Sequence, residues 1–398
     1  MSGMKNITSQ MTYEEALEKA KSLAKVIRER GKYTEELRKI PKETIDDIVK
    51  SGLVRLLQPA RWGGHELPLE ALVDTTIEIS KADPSSGWCY TLLGLHSYML
   101  AGWPEQAQQE VWSQNQDALI ASAFAPIGKV TQVNGGYRLS GKWSFSSGVD
   151  HCQWAMVGAF MPPSKDGEFP KHLMLLIPKE DYEIEDDWFV AGIKGSGSKT
   201  IVVEDAFVPE HRVVDLVAWS KLCDAPGMKV NKGQIYQLPL LTVIGFFLAS
   251  STLGAAKGAY ELWKEAARNK VAAYTLTKVT QFTHQQIRLA RIAVELDSAD
   301  LLLHHAVKIL QSGQKIDTPV KVRLARDFAY VAEISGRAVQ ELFKNSGATS
   351  IYENNPIQRY WRDTQIMSMH AALNFDFAGE NYGRVELGVP LDPKNIYF

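Results

Sequence analysis

The stretch at residues 119–213 constrains the fold more than any other part of the chain. Its apolar segments are short, rich in β-branched and aromatic residues, and separated by Gly, Pro and Asn-Gly turns, a pattern typical of strands. On both sides the sequence changes to long amphipathic stretches with few helix-breaking residues. We therefore predict an α+β protein, mostly α, in which one compact β domain separates two helical regions.

The region before the β domain predicts five helices. Apolar spacing and flanking breakers place them at residues 13–30, 42–51, 69–82, 87–102 and 104–115. The fourth helix is apolar on nearly all sides, which is typical of a helix buried in a core, and it carries His96.

The region after the β domain begins with a polar connection over about residues 214–237. Four long helices are predicted beyond it, at residues 238–271, 278–311, 320–346 and 357–379. The chain therefore divides into an N-terminal helical domain (1–117), a middle β-barrel-like domain (118–213) and a C-terminal four-helix bundle domain (214–398).

Composition argues against several classes of protein. A net charge of −2 without a long basic run argues against a nucleic-acid partner. The three cysteines lie far apart and suggest neither a disulfide framework nor a metal site. The N-terminus lacks the apolar region of a secretory signal, and the longest apolar run, residues 238–253, is too short and too interrupted to span a membrane. We expect a soluble, cytoplasmic protein.

Two segments of the β domain resemble landmarks of the acyl-CoA dehydrogenase superfamily of flavoproteins. Residues 142–148 (KWSFSSG) resemble the strand and turn that face the isoalloxazine ring, which implies cofactor contacts for Trp143, Phe145, Ser146 and Ser147. Residues 192–198 (GIKGSGS), followed by the strand that ends in Val-Pro, resemble the next loop of that family. This second resemblance implies flavin or phosphate contacts for Gly195, Ser196 and Ser198.

A third segment, residues 356–363 (PIQRYWRD), resembles the P-x-x-R-x-x-R-D entry to the last helix of the same superfamily. In the dehydrogenases a catalytic glutamate follows eight residues after that aspartate, and here the slot holds Ala371, preceded by His370. Glu353 stands in an Ile-Tyr-Glu sequence but precedes the motif, so we interpret it as a loop carboxylate. The missing base argues against dehydrogenation of an acyl-CoA thioester.

The sequence is more similar to the two-component flavin-dependent monooxygenases built on that fold. Its Phe-x-Ser-Gly turn is followed by Asp150-His151, with His96 on an early apolar helix and His370 on the last one. The resemblance implies an oxygenase component that uses reduced flavin (FADH2 or FMNH2) and O2, through a C4a-hydroperoxyflavin, to hydroxylate a phenol or an indole such as indole-3-acetate. The sequence does not distinguish FAD from FMN.

The same resemblance implies roles for individual side chains. Ser147, with Ser146 in reserve, would hydrogen-bond near flavin N5, and His370 would act as acid or base. His96 would hold substrate or the peroxide side, and Phe246 would wall the aromatic pocket. Each residue also has a structural interpretation: a core histidine, a turn serine or a core phenylalanine.

The expected partners follow from what the sequence lacks and from what the family implies. No G-x-G-x-x-G opens a βαβ unit, so a separate NAD(P)H:flavin reductase must supply reduced flavin. The family implies a homotetramer, in which Arg288 could reach the flavin phosphate of a neighbouring subunit; a solvated helix face is its alternative. A flavoenzyme of the acyl-CoA dehydrogenase or oxidase type and a non-enzymatic helical scaffold are the alternative functions.

Overall fold

The structure, a computed structural model, describes residues 10–161, 171–392 and 395. Its N-terminal part contains five helices: α1 (Tyr13–Leu37), α2 (Lys42–Ser51), α3 (Leu69–Ala82), α4 (Pro84–Leu100) and α5 (Glu105–Trp112). Helix α4 begins three residues earlier than predicted because Asp83 caps it by accepting the Ser86 N–H, while Pro84 takes the first helical position. Proline is favoured there, since the first helical N–H has no partner within the helix.

The middle part is one mixed sheet of seven strands: β1 (Ile120–Val133), β2 (Gly136–Ser146), β3 (Trp154–Met161), β4 (Lys171–Pro178), β5 (Glu183–Glu185), β6 (Lys199–Pro209) and β7 (Val213–Asp215). The strand order is β5-β6-β2-β1-β3-β4-β7, and among the described residues only the β1–β3 pair is parallel. The first part of β1 pairs with β3 and its last part with β2, with register shifts between them. This change of partner, with its register shifts, bends the sheet.

Trp143 fills the interior of the bent sheet. Its side chain is fully buried, and its Nε1–H donates to the Gly158 carbonyl at 2.8 Å. The ring lies so close to Gly128 and Gly141 that a Cβ on either glycine would come within 2.6 Å of it. The structure thus corrects the predicted cofactor contact: the Trp143 side chain belongs to the core of the β domain, where a large apolar ring is more stable than at a surface.

The C-terminal part contains six helices: α6 (Leu216–Leu222), α7 (Leu240–Asn269), α8 (Thr283–Gln311), α9 (Thr318–Lys344), α10 (Pro356–Ser368) and α11 (Phe375–Glu386). The predicted last helix is therefore two helices with a break between them. His370 leaves the helical conformation at φ −60° and ψ 135°, and Asn374 caps α11 by accepting the Phe377 N–H at 2.8 Å. The break removes His370 from the helix on which the sequence placed it.

Helix α7 is the central helix of the structure and packs against α3, α4, α9 and α10. By length and composition alone it could cross a membrane, but 89% of its most apolar window is buried inside the protein. That burial is typical of a core helix in a large domain. The packing of α4 and α10 on α7 brings the N-terminal and C-terminal parts together beside the β domain.

Candidate active site

One face of α4 carries the side chains around which the site is built. Ser85, Trp88, Leu92 and His96 follow one another at intervals of three or four residues, so they lie on one side of the helix. Three of them have partners in other domains: Ser85 in α10, Trp88 in the β2 turn and His96 in β1. This face of α4 therefore borders both the β domain and the C-terminal helices.

Trp88 connects Ser147 with His370. Its indole Nε1–H donates to Ser147 Oγ at 3.2 Å, and its ring centroid lies 5.7 Å from that of His370. One contact crosses from the N-terminal helices to the β domain, and the other crosses to the C-terminal helices. No sequence motif marks Trp88, and its position two turns before His96 on the same helical face is the signal that could have identified it.

Three serine hydroxyls form a chain behind this contact. Ser147 Oγ lies 2.7 Å from Ser198 Oγ, which lies 2.6 Å from Ser196 Oγ. Because an indole N–H can only donate, Ser147 accepts from Trp88 and keeps its own hydrogen and a second lone pair for Ser198 and one further partner. The Ser147 hydroxyl is thus oriented and still has one hydrogen-bonding position free, as a cofactor contact requires.

The loop at residues 192–198 lies behind Ser147. Gly195 is buried so tightly that a Cβ would come within 2.4 Å of Thr34 Cγ2, and Ser196 and Ser198 are buried as well. Ser146 is also fully buried, and its Oγ has no hydrogen-bond partner among the described residues. These four positions lie behind Ser147, where small residues occur because the loops pack closely. The cofactor contacts implied for Gly195, Ser196, Ser198 and Ser146 stay a prediction.

Phe145 presents an apolar surface beside these hydroxyls. Its side chain is 72% exposed, its backbone has φ +69°, and its ring lies 5.9 Å from that of Trp188. A large residue in the left-handed region is strained, and such strain is concentrated at functional sites. The neighbouring Phe189 is also exposed and lies under the Arg38 guanidinium at 4.0 Å. An exposed aromatic surface next to an oriented hydroxyl fits a flat, partly polar ring system such as a flavin.

His370 lies in the break between α10 and α11. The residue is accessible to solvent but surrounded by protein, and the resulting desolvation lowers the pKa of its imidazole to about 4. Its Nδ1 accepts the Ala372 N–H at 3.2 Å, so the hydrogen of the neutral ring is on Nε2. His370 is therefore a hydrogen-bond donor at neutral pH, which corrects the expectation of a base that titrates in that range.

His96 has both ring nitrogens occupied. Nδ1 donates to the Ile120 carbonyl, so the neutral ring has a free lone pair on Nε2, which accepts the Ser122 hydroxyl at 2.7 Å. His96 is buried, and this burial lowers its pKa to about 4. His96 therefore has no ring nitrogen left for the direct substrate contact predicted for it, and the Ser122 hydroxyl lies at Nε2. Only the packing of β1 against α4 brings Ser122 there.

Phe246 belongs to the core and not to a pocket wall. It is fully buried, and its ring centroid lies 5.2 Å from Phe247 and 5.5 Å from Phe328. This position corrects the predicted substrate contact, because α7 is covered on that side by α9. Ala371, in the slot of a dehydrogenase base, is exposed beside His370, and Glu353 is exposed in the loop before α10.

Of three charged or titratable residues singled out by the motifs, Asp363 and His151 join separate domains and Asp150 forms an ion pair within the β domain. Asp363 is buried, accepts the Ile193 N–H at 2.6 Å, and has its pKa raised to about 7 by burial and by the nearby Asp83. Asp150 pairs with Lys199 at 2.9 Å. The neighbouring His151 bonds through Nε2 to the Ile40 carbonyl at 2.8 Å, which ties the β domain to the N-terminal helices.

A separate groove of about 570 Å³ lies at the far end of α7. Its lining includes Trp263, Lys270, Asn345 and Tyr352, and none of Trp88, Ser147 and His370. Arg288 on α8 donates to Asn345 Oδ1 at 2.6 Å and so lies at its rim. Aromatic, amide and hydroxyl side chains line this groove together with one lysine and one glutamate, a lining that fits the nucleotide end of a cofactor better than the reacting ring.

Known proteins resemble the chain over nearly its whole length. Residues 246–375 match the family described as acyl-CoA dehydrogenase, C-terminal domain. The flavin-dependent monooxygenase, oxygenase subunit HsaA of Rhodococcus jostii (strain RHA1) is 35% identical over 94% of this chain and 99% of that protein. The FADH(2)-dependent resorcinol hydroxylase, oxygenase component, of Rhizobium sp. (strain MTP-10005) is 34% identical over 94% of each chain.

Solved structures agree with the sequence relatives. The crystal structure of the HsaA monooxygenase from M. tuberculosis superposes with a TM-score of 0.90 and 33% identity, covering 98% of this chain and 100% of that chain. The acyl-CoA-dehydrogenase-like fold and the use of reduced flavin and O2 are thereby confirmed. The chain belongs to the family of two-component flavin-dependent monooxygenases, as an oxygenase component.

Proposed function

We propose that this protein hydroxylates a small phenolic ring held between Trp88 and Ser122. Replacing a ring C–H by C–OH consumes one O2, two electrons and two protons and releases one water. Reduced flavin, when bound, supplies the electrons. The observation that carries the proposal is that three domains contribute Trp88, Ser147 and His370 to one contact cluster.

The two histidines have different roles in this proposal. His370 carries its hydrogen on Nε2 and would donate a hydrogen bond to oxygen atoms of the bound cofactor. The Ser147 hydroxyl would orient the edge of the flavin ring. On the substrate side, Ser122 donates its hydroxyl hydrogen to His96 Nε2, so its oxygen is free to accept a hydrogen bond from the ring hydroxyl. The Ile120 carbonyl at Nδ1 fixes the tautomer of the neutral imidazole that orients Ser122.

The Ser122–His96 pair favours a phenol over an indole. A phenolic hydroxyl is far more acidic than an indole N–H and is therefore the stronger hydrogen-bond donor to the Ser122 oxygen that His96 orients. The same site opposes the acyl-CoA alternative, because Ala371 offers a methyl group where that reaction needs a carboxylate.

The test combines the chain with a flavin reductase, NADH, FAD or FMN and a panel of phenols and indoles. We expect phenol hydroxylation that depends on the reductase. Ser122→Ala should lower phenol turnover about tenfold, as expected for the loss of one or two substrate hydrogen bonds, while Ser144→Ala, at an exposed serine on β2, serves as the control. Turnover with NADH in the absence of any reductase would refute the two-component mechanism. Faster turnover of indoles than of phenols would refute the proposal that the substrate is a phenol.

We also infer that the enzyme is a cytoplasmic homotetramer. Helix α8 exposes Ile287, Val294 and Leu301, spaced seven residues apart and between 56% and 73% exposed. Apolar side chains at this spacing form one stripe along a helix and are typical of a surface that packs against another helix. The occupant we infer is α8 of a second copy, since the stripe extends along a single 29-residue helix.

Arg288 and the groove at Asn345 support a cofactor contact between copies. We propose that the phosphate or nucleotide end of a flavin bound by one copy reaches this groove in another. Arg288→Ala should weaken flavin binding about tenfold, as expected for one charge-assisted hydrogen bond. Arg291→Ala, one turn along α8, is the matched control, and equal affinities of the two variants would contradict the contact.

A further inference from the structure

The Arg362–Asp363 pair of α10 holds the loop at residues 191–193. Arg362 Nη1 donates to the Ala191 carbonyl at 2.7 Å, and Asp363 Oδ1 accepts the Ile193 N–H at 2.6 Å. Between them, a Cβ on Gly192 would lie 2.5 Å from the Arg362 carbonyl oxygen. Three consecutive loop residues are therefore fixed on one turn of α10.

Ile193 is strained and buried. Its φ of +47° is in the left-handed region, which a β-branched residue rarely adopts. Its carbonyl accepts from Trp188 Nε1 at 3.2 Å and from the Ser196 N–H at 2.9 Å. Because Asp363 takes the remaining N–H, all backbone hydrogen-bonding groups of Ile193 are occupied, and this network holds the strained conformation in place.

Hydrogen bonds of Ser196 and Ser198 connect Ile193 with Ser147. The Ser196 carbonyl accepts from the Gly148 N–H at 2.9 Å and from the Cys89 thiol at 3.2 Å, which joins the loop to the turn after β2. The Ser196 and Ser198 hydroxyls then lead to Ser147 Oγ. Displacing Ile193 would shift both the main chain and the hydroxyl partner of Ser147.

We propose that Asp363 is a positioning residue: by holding the Ile193 N–H it fixes the loop at residues 193–198 and, through that loop, the direction of the Ser147 hydroxyl. Its importance for catalysis rests on the proposed function. The role requires an acceptor oxygen at Oδ1 and no particular charge, because a protonated carboxyl keeps one carbonyl oxygen. Ser85 Oγ, at 3.4 Å from Oδ2, lies on the other side of the group.

Asp363→Asn and Asp363→Ala separate this role from a charge effect. Asparagine keeps an acceptor oxygen, whereas alanine leaves the Ile193 N–H buried without a partner. We expect hydrogen–deuterium exchange of the flavin-free protein to rise about tenfold or more at residues 190–199 in Asp363→Ala and to stay near wild type in Asp363→Asn. Gln365→Ala removes the bond of the same helix to the Gly336 carbonyl on α9 and controls for general loosening of α10.

The catalytic consequence is measured separately, as hydroxylated product formed per O2 consumed. Asp363→Ala should lower this ratio several-fold, and Asp363→Asn should keep it at every pH tested. Unchanged exchange at residues 190–199 in Asp363→Ala, or an equal rise in Gln365→Ala, would overturn the positioning role. Failure to hydroxylate any ring would overturn the proposed function but leave the exchange result standing.

Discussion

Trp88→Phe should uncouple oxygen consumption from hydroxylation. The substitution keeps an aromatic ring near His370 but removes the indole N–H that Ser147 accepts at 3.2 Å. A neutral hydrogen bond of this type contributes about 1 kcal/mol. If that energy orients Ser147 during the reaction, the ratio of product formation to hydrogen peroxide release falls about fivefold. The assay measures product, peroxide and O2 in the same reaction, with reductase and phenol saturating.

Trp103→Phe is the matched control for this prediction. Trp103 is also fully buried and its Nε1–H donates to the Arg212 carbonyl at 3.1 Å, but it lies beyond the other end of α4. Both variants should lose roughly 1–3 kcal/mol of unfolding free energy, and only Trp88→Phe should change the coupling ratio. Ser147→Ala should have little further effect in the Trp88→Phe background. Additive effects of Trp88→Phe and Ser147→Ala, or equal uncoupling in Trp103→Phe, would refute the reasoning.

Three further predictions concern other parts of the molecule. His370→Ala should lower product per O2 about tenfold or more, and His370→Gln should restore part of it because its amide N–H also donates; a general-base role predicts no rescue by glutamine. The hydrogen bond to Asp74 raises the pKa of His304 from 6.5 to about 9, so this pair stabilises the fold fully below about pH 6.5 and loses its effect as the pH rises through 9. Thermal unfolding should show wild type losing on the order of 1–2 kcal/mol between pH 6.5 and 9.5, and an equal loss in His304→Gln would contradict the assignment. Val294→Glu should reduce the mass measured by light scattering below that of the wild-type assembly, and an unchanged mass would show that this stripe of α8 is not an interface.

The elements that sequence patterns predicted well are those with strong local signals. Helix α2 ends at Ser51 because Gly52 adopts the left-handed region, and glycine at that position is a local stop signal. The break between α10 and α11 was missed, since apolar spacing continues through residues 369–374. Asn374 was the available signal, because asparagine is among the preferred residues at a helix N-cap.

The candidate site was predictable only where a motif marked it. Ser147 and His370 lie where the motifs indicated, close to one residue that no motif marked, Trp88. The pattern could not show which serine of a run bonds to Trp88, because Ser146, Ser147, Ser196 and Ser198 are all buried and only Ser147 accepts from its indole. Nor could it show that the Nε2 of His96 is taken by Ser122, because that pairing depends on how β1 packs against α4.

The contact of Trp88 with both Ser147 and His370 determines when the site can form during synthesis and whether domains can be exchanged between relatives. These residues are separated by 59 positions in one case and 282 in the other, so the cluster cannot form until the ribosome has released most of the chain. In chimeras that exchange one domain with a relative of about 35% identity, each domain should fold, but the contacts of Trp88 with Ser147 and His370 should be misaligned. Activity in such chimeras therefore reports on domain docking rather than on the integrity of any single domain.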